Sequence, residues 1–514
     1  MSKSLASTLI AASLLWLLPA CGGKTDEATR AAGLTPVDAV GLVTVNLDPS
    51  IEQKRNLLSI ARNFPAVSDR VKGGFDQTRD ELLSDLVEEG GLDFKRDVEP
   101  WLGNEVALAV LPPAPRSDAP LITLFVQTTD QGKAKAALEK SAKSGDFEGE
   151  YRVVDDFVVI SAQENEKDNG PALDRIEAQS KKDDGGLARS GRFTGVTDEL
   201  AGDRLILVWT DVQAALKVAE DVQDIPGLSL SKAFKKAGPV AIDLHAEKEA
   251  VVFEGVSTPF VEGKGGKAAI TESLPAESLA AFTFFDLGAV YRQVLDLVGG
   301  RGGGGVDLAQ EFEKQTGINL QGDILSWMEG EFVVVAGAVP EGRSFPDFGL
   351  LIEPTDQEKA KAAIPKIVQS LRDRGEIQLE ETKLSGGATA YVVPAAFTDG
   401  VQPAMALLDD RFVLANRIEY LEQLAKPASP SLGDSKAYGS VVGEGSSGLV
   451  GQMVLQIDPI REAIENAFLA DAEGDERADY EKEIQPNLVP LQGFGVRARH
   501  DGKFDRFEMK LTFD

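Results

Sequence analysis

Cysteine is nearly missing from this chain: Cys21 is the only one in 514 residues, which excludes an intramolecular disulfide. Histidine is almost as scarce, with only His245 and His500. Two imidazoles cannot furnish the several His or Cys ligands that zinc wants, and a Ser-His-Asp arrangement would need one of them to meet its partners from distant segments. Positive charge is short too, 53 basic against 83 acidic residues for a formal net charge of −30. Phosphate backbones are held by cations that displace counterions, so no nucleic-acid partner is expected. Anionic lipid headgroups would also be repelled, while the acidity favours solubility. Long apolar runs are lacking as well. The core from Leu5 to Leu18 is 14 residues, short of the roughly 20 that an ordinary membrane-spanning helix requires.

What stands at the start is a secretory signal. One cation, Lys3, precedes that apolar core, and small residues precede Cys21, the layout of an export signal removed by cleavage. Leu18-Pro19-Ala20-Cys21 resembles the lipobox of bacterial lipoproteins, although Pro19 departs from its commonest form. The resemblance implies that Cys21 is diacylated and becomes the mature N-terminus. Residues 1–20 are therefore expected to be signal and residues 21–33, beginning "CGGKTDEATR", a flexible tether. The expected location is extracytoplasmic, at the periplasm or cell surface, lipid-anchored to a bacterial membrane.

The remaining chain, about 490 residues, exceeds one ordinary core. It carries a duplication. "TDQGKAKAA" at 129–137 and "TDQEKAKAA" at 355–363 match at eight of nine positions with an offset of 226. The same offset carries Asp97, Trp101 and Glu105 of "DVEPWLGNEVALAV" onto Asp323, Trp327 and Glu331. Upstream, "LTPVDAVGLVTV" at 34–45 answers "SLPAESLAAFTF" at 273–284; downstream, "VDDFVVIS" at 154–161 answers "LDDRFVLAN" at 408–416. The last pair, 240–257 and 495–512, places His245 opposite His500. A Gly- and Lys-rich segment separates the copies, giving repeats at 34–266 and 267–514.

Short runs rich in Val, Ile, Leu and Phe predict strands near 41–47, 105–111, 121–127, 151–154, 157–161 and 204–210 and a pair over 239–256. Most come in hairpins. In copy two, Ala360, Ala363, Ile364, Ile367, Val368 and Leu371 form one helical stripe, with Thr355 and Glu358 spaced as a capping box. The fold class is therefore α+β: two tandem homologous repeats, each a largely antiparallel sheet with helices packed on it. Trp101 and Trp327 are expected to pack at the start of a buried strand.

The recurring "P-x-[DE]", "W-[LM]-x-x-E" and "TDQxKAKAA" elements resemble the bacterial proteins grouped as domain of unknown function 3352, over most of the chain after the tether. That resemblance implies an exported, membrane-associated α+β protein and brings no catalytic or ligand-binding residues with it.

Other motifs carry little chemistry. Gly300, Gly302 and Gly305 match a dinucleotide pattern, but the segment ahead of them reads as helical where a strand is needed. Ser229 and Lys232 lack the companion elements of penicillin-recognising enzymes. "ENEKDNG" at 164–170 puts Asn169 where a calcium loop needs glycine. It and "DAEGDERADYEKE" at 471–483 read as solvated acidic surface. No catalytic, cofactor or metal residues are assigned, and Cys21 is the one site residue, for lipidation. The expected function is a non-enzymatic binding or organising module at the cell envelope, attached through its N-terminal lipid. Its partner would be an envelope protein or a hydrophobic ligand. A carrier or sensor of a hydrophobic ligand is the alternative, and a solute-binding lipoprotein of an importer ranks behind it because that class uses parallel βαβ units.

Overall fold

The computed structural model describes residues 30–88, 91–115, 117, 119–144, 149–163, 166–182, 184–200, 202–222, 236–259, 264–289, 291, 308–343, 345–373, 379–394, 401–442, 448–469 and 474–514. The chain divides into two compact units, with the change between Pro259 and Phe260. That is a few residues ahead of the expected 266/267 boundary. Gly266 belongs to the second unit, where it exchanges backbone hydrogen bonds with Leu449.

Unit one contains β1 (Gly41–Asn46), β2 (Leu102–Leu111), β3 (Leu121–Thr128), β4 (Glu150–Val154), β5 (Phe157–Ser161), β6 (Ile206–Asp211), β7 (Pro239–Glu247) and β8 (Ala250–Ser257). Every pairing is antiparallel, in the order β4-β5-β3-β2-β1-β6-β7-β8. The predicted strands thus lie where the apolar runs put them.

Unit two contains β9 (Ala280–Phe285), β10 (Glu331–Ala336), β11 (Phe348–Ile352), β12 (Glu380–Lys383), β13 (Thr389–Val392), β14 (Ala404–Leu407), β15 (Phe412–Ala415), β16 (Leu449–Gln456), β17 (Leu491–His500) and β18 (Asp505–Phe513). Its order is β12-β13-β14-β15-β11-β10-β9-β16-β17-β18, again all antiparallel. Apart from the added β12–β13 hairpin, this is the ladder of unit one.

Register makes the equivalence exact to the residue. In unit one the Cα partners run Ile160–Leu124–Leu108–Val43–Val208–Ile242. In unit two the corresponding line is Leu414–Leu350–Val334–Phe282–Met453–Val496. The offsets step through 254, 226, 226, 239, 245 and 254, so all length differences fall between strands.

Alternation along each strand sends one set of side chains into a helix-covered core. In unit two Ala281, Val333, Val335, Leu351 and Val413 pack with Tyr420 and Leu421 of helix Ile418–Leu424 and Val441 of helix Lys436–Val442. In unit one Trp209 leaves this same face of β6 and meets Phe193 of helix Gly191–Thr197 at 5.8 Å between ring centroids. On the opposite face the helix that follows the third strand, Gln131–Ser144 or Gln357–Asp373, packs over one end, joined in unit one by Leu83 and Val87 of helix Phe75–Glu88.

Residues 30–33, expected to be part of the tether, are helical. Arg30–Leu34 is a helix, and its Ala31 and Ala32 are fully buried. Small residues that looked unable to pack do so because a buried carboxylate holds the end of their helix. Among the described residues no helix is long and apolar enough to cross a membrane.

Candidate functional site

The duplicated Asp-Trp-Glu set marks the entrance to the second strand of each unit, and each of its polar groups has a partner inside the fold. In unit one Asp93 caps a wide helical turn, Phe94–Val98, by accepting from the Arg96 backbone N–H at 2.8 Å. The turn exposes the Asp97 carbonyl to the Trp101 indole N–H, at 2.5 Å. The Asp97 carboxylate accepts from Arg96 at 2.8 Å and from Lys140 at 2.5 Å. These cations hold its carboxyl well below the usual range, Arg96 most strongly.

Unit two repeats the device. Asn319 caps the turn Leu320–Ile324, the Trp327 indole donates to the Asp323 carbonyl at 2.8 Å, and Lys366 reaches Asp323 at 2.6 Å. Lys366 holds the Asp323 carboxyl below its ordinary value. Trp101 and Trp327 are both buried, in clusters with the helices Gln131–Ser144 and Gln357–Asp373. The expectation that they pack at the start of a strand is met.

Glu105 and Glu331 are the groups that most resemble an active-site acid, being almost wholly buried. Their oxygens face backbone. Glu105 accepts from the N–H groups of Arg30 and Ala31 at 3.1 and 3.2 Å. Glu331 accepts from those of Ile270 and Thr271 at 2.7 and 2.9 Å and from the Thr271 hydroxyl at 2.7 Å. Each carboxyl thereby closes the exposed N-terminus of a short helix, Arg30–Leu34 or Ala269–Glu272, that has no other use for those donors. Burial pushes Glu105 up to about 8 despite the N–H groups of Ala31 and Arg30. It also raises Glu331 against those of Ile270 and Thr271.

The shared "TDQ" completes the clasp. The Thr129 and Thr355 N–H groups donate to the carbonyls of Trp101 and Trp327, at 2.7 and 3.0 Å. Asp130 and Asp356 accept from the Lys133 and Lys359 N–H groups, at 3.1 and 3.0 Å. Gln131 and Gln357 donate to the carbonyls of Asp155 and Asp409 in the β4–β5 and β14–β15 turns. Helix capping therefore falls on Asp356, one residue after the expected Thr355, while Glu358 pairs with Lys361. The threonine is occupied with the tryptophan carbonyl, which leaves the cap to its neighbour.

The histidines are not equivalent. Thr44 pairs through Leu207 to Asp243, and Thr283 through Gln452 to Arg497, so Asp243 corresponds to Arg497 and His245 to Arg499. The expected pairing of His245 with His500 is one residue out of register, and a one-residue slip exchanges sheet faces. Each still meets an acid, with Nδ1 at 2.8 Å from Asp243 or Asp505. For His245, burial lowers the imidazole pKa, but Asp243 together with Glu247 and Glu254 leaves it raised. This ring lines an open cavity of about 680 Å³ with Glu52, Asn56, Ser59 and Asp203. Among the described residues no hydroxyl is hydrogen-bonded to the imidazole, so a nucleophile-activating pair is not assembled.

Cys21, Ser229, Lys232 and Gly300–Gly305 lie outside the described residues. Within 164–170 the solvated reading is corrected, because Asn169 is buried and accepts from the Gln163 N–H at 2.7 Å. It stabilises a loop end, which charge pattern alone did not reveal. Among the described residues no three His, Cys, Asp or Glu come together as a metal site.

Comparison with known proteins bears on this geometry. The family described as "Protein of unknown function (DUF3352)" matches residues 3–167 and 152–512. No curated protein sequence matches. Among solved structures, crystal form IV of TP0453 aligns at 10% identity over 47% of this chain and 92% of that one, with a TM-score of 0.24. Crystal form III aligns at 10% identity over 46% and 77%, with a TM-score of 0.21.

Proposed function

The chain belongs to the DUF3352 family of proteins of unknown function, and from that premise we propose that it is a lipid-anchored, extracytoplasmic binding or organising module of the bacterial cell envelope, without catalysis of its own. The observation that carries the reading is that the residues duplicated most closely are engaged in holding the fold. Asp97, Trp101 and Glu105 bond to a lysine, a carbonyl and two backbone N–H groups, and their copies do the same. A catalytic carboxylate needs a substrate-facing oxygen. These face helix ends.

The anchored location rests on the signal-like start and on Cys21. Two acyl chains give stable attachment where one alone is reversible, and they supply the membrane attachment that a net charge of −30 opposes. Cells fed an alkyne fatty acid should label the protein and retain it with membranes. Cys21→Ala should abolish the label and release the protein to the soluble extracytoplasmic fraction. Label persisting on that variant would overturn the anchor. Turnover in a hydrolase panel that disappears with His245→Ala would overturn the non-catalytic assignment.

A further inference from the structure

We propose that His245 is a proton-operated latch between the end of β7 and the helix Ile51–Arg62, closed while the imidazole is protonated and loosened when it is not. The device lies within unit one and is independent of how the protein is attached and of what it binds.

The latch begins where a ladder runs out. β6 and β7 pair as far as Ile206 and Leu244, and the Leu205 N–H still reaches the Leu244 carbonyl. Backbone groups that face the same neighbouring strand recur at every second residue, so the next pair toward β6 belongs to Ala246, past the end of that strand. Two amide side chains of the helix supply the missing rung. Gln53 accepts from the Ala246 N–H at 2.7 Å, and Asn56 donates to the Ala246 carbonyl at 2.9 Å. Both amides are buried. The rung at Ala246 therefore rests on two side chains rather than on a strand, and His245 is the residue before it.

Charge makes this place sensitive to a proton. Asp243 is buried; one carboxylate oxygen meets His245 Nδ1 at 2.8 Å, and the other has no hydrogen-bond partner among the described residues. A buried carboxylate needs a cation to offset its lost hydration. Directly across the ladder from Asp243, β8 presents a second acid, Glu254, and β7 itself adds Glu247. Asp203, ahead of β6, and Glu52, on the helix, line the cavity beside the ring. The cations are fewer. Arg204 lies between the fields of Asp243 and Asp198, Arg55 is 3.9 Å from Glu52, and Lys248 is 3.1 Å from Glu249. Burial lowers the imidazole pKa, but Asp243, Glu247 and Glu254 leave it above the ordinary 6.5. In unit two the same place on the ladder carries Arg497, which donates to Glu508 at 3.1 Å and keeps its charge at every relevant pH. Unit one has put the positive charge on a group that can lose it. The ring also lines the open cavity of about 680 Å³, through which its proton exchanges with solvent. Loss of that proton withdraws the attraction that offsets the buried Asp243 charge, and the charge is relieved when the end of β7 parts from Gln53 and Asn56 and admits water. Stability from the pair is fully present below pH 6.5, the unfolded value, and is lost as pH rises through the higher folded value.

In the full chain carrying His500→Gln, His245 is the sole imidazole, so its NMR titration is read without overlap. Adding Glu105→Gln silences the other raised group of unit one. In that protein His245 should titrate above 6.5. Hydrogen exchange at Ala246, corrected for the intrinsic pH dependence of exchange, should show an opening constant that rises between about pH 5.5 and 9. The rise should be about tenfold for each pH unit by which the measured pKa exceeds 6.5. Asp243→Asn should lower the His245 pKa and remove most of the rise, and His245→Gln should leave the opening constant independent of pH. Circular dichroism and a thermal melt establish that these variants fold; if one does not, the titration and the exchange of the parent protein decide between them. A His245 pKa at or below 6.5, or an opening constant that stays level while the imidazole titrates, overturns the proposal. So does an equal rise in His245→Gln, which would give the pH dependence to another group. None of these outcomes touches Cys21 labelling, so the latch and the anchored module fail separately.

Discussion

Trp327→Ala should destabilise unit two by about 3–5 kcal/mol, the cost of emptying a large buried aromatic site. Trp327 is fully buried, meets Phe412 edge-on at 6.2 Å and donates to the Asp323 carbonyl at 2.8 Å. Removing the ring leaves both a cavity and a carbonyl without its donor. Trp327→Phe keeps most of the volume and should cost about 1 kcal/mol for the lost hydrogen bond. Hydrogen exchange under increasing denaturant reads each unit separately, which matters because two units need not unfold as one transition. A loss below about 1 kcal/mol for the alanine variant would mean that the site collapses around the gap, and the corner would then not be the support described here.

The second large effect concerns pH. Burial raises Glu105 from 4.5 to about 8, so the native state binds a proton over a range where the unfolded chain has released it. Stability from this group is fully present below about pH 4.5 and is lost as pH rises through about 8, with a slope of up to about 1.4 kcal/mol per pH unit. Glu105→Gln, neutral at every pH, should flatten the thermal-melt profile of unit one between pH 5 and 8. Glu105→Ala, which strands two backbone N–H groups, should cost about 2–5 kcal/mol near pH 5, and the cost should shrink as pH rises towards 8 and the wild-type carboxyl loses its own contribution. Equal pH slopes for wild type and Glu105→Gln would show that this carboxyl does not titrate as argued. Glu331 is raised in the same direction by burial, and Glu331→Gln should flatten the profile of unit two.

The strands were legible because each is a compact apolar run bounded by turn residues, and the tandem organisation because Asp97, Trp101, Glu105 and "TDQ" recur at one spacing. What failed was local. The cap on Asp356 in place of Thr355 depends on a bond between Thr355 and Trp327, 28 residues away. The histidine pairing slipped because β7 and β17 are apolar in alternation with few fixed landmarks, so similarity of letters tolerates a shift that the ladder does not. The helix Arg30–Leu34 was missed because what closes it, Glu105, lies about 75 residues downstream. A lone Glu at the head of an apolar run, present in both copies, was the available signal. It pointed to a partner without saying which.

The offsets between the repeats have a consequence for how such a chain can vary. From Asp97 to Lys140 and from Asp323 to Lys366 the two copies keep the same spacing of 226, through turn, tryptophan, two strands and helix start. Elsewhere the spacing changes only in connections. Each half therefore carries a length-matched spare for the central hairpin of the other, and segments can be exchanged there by recombination without moving a single rung.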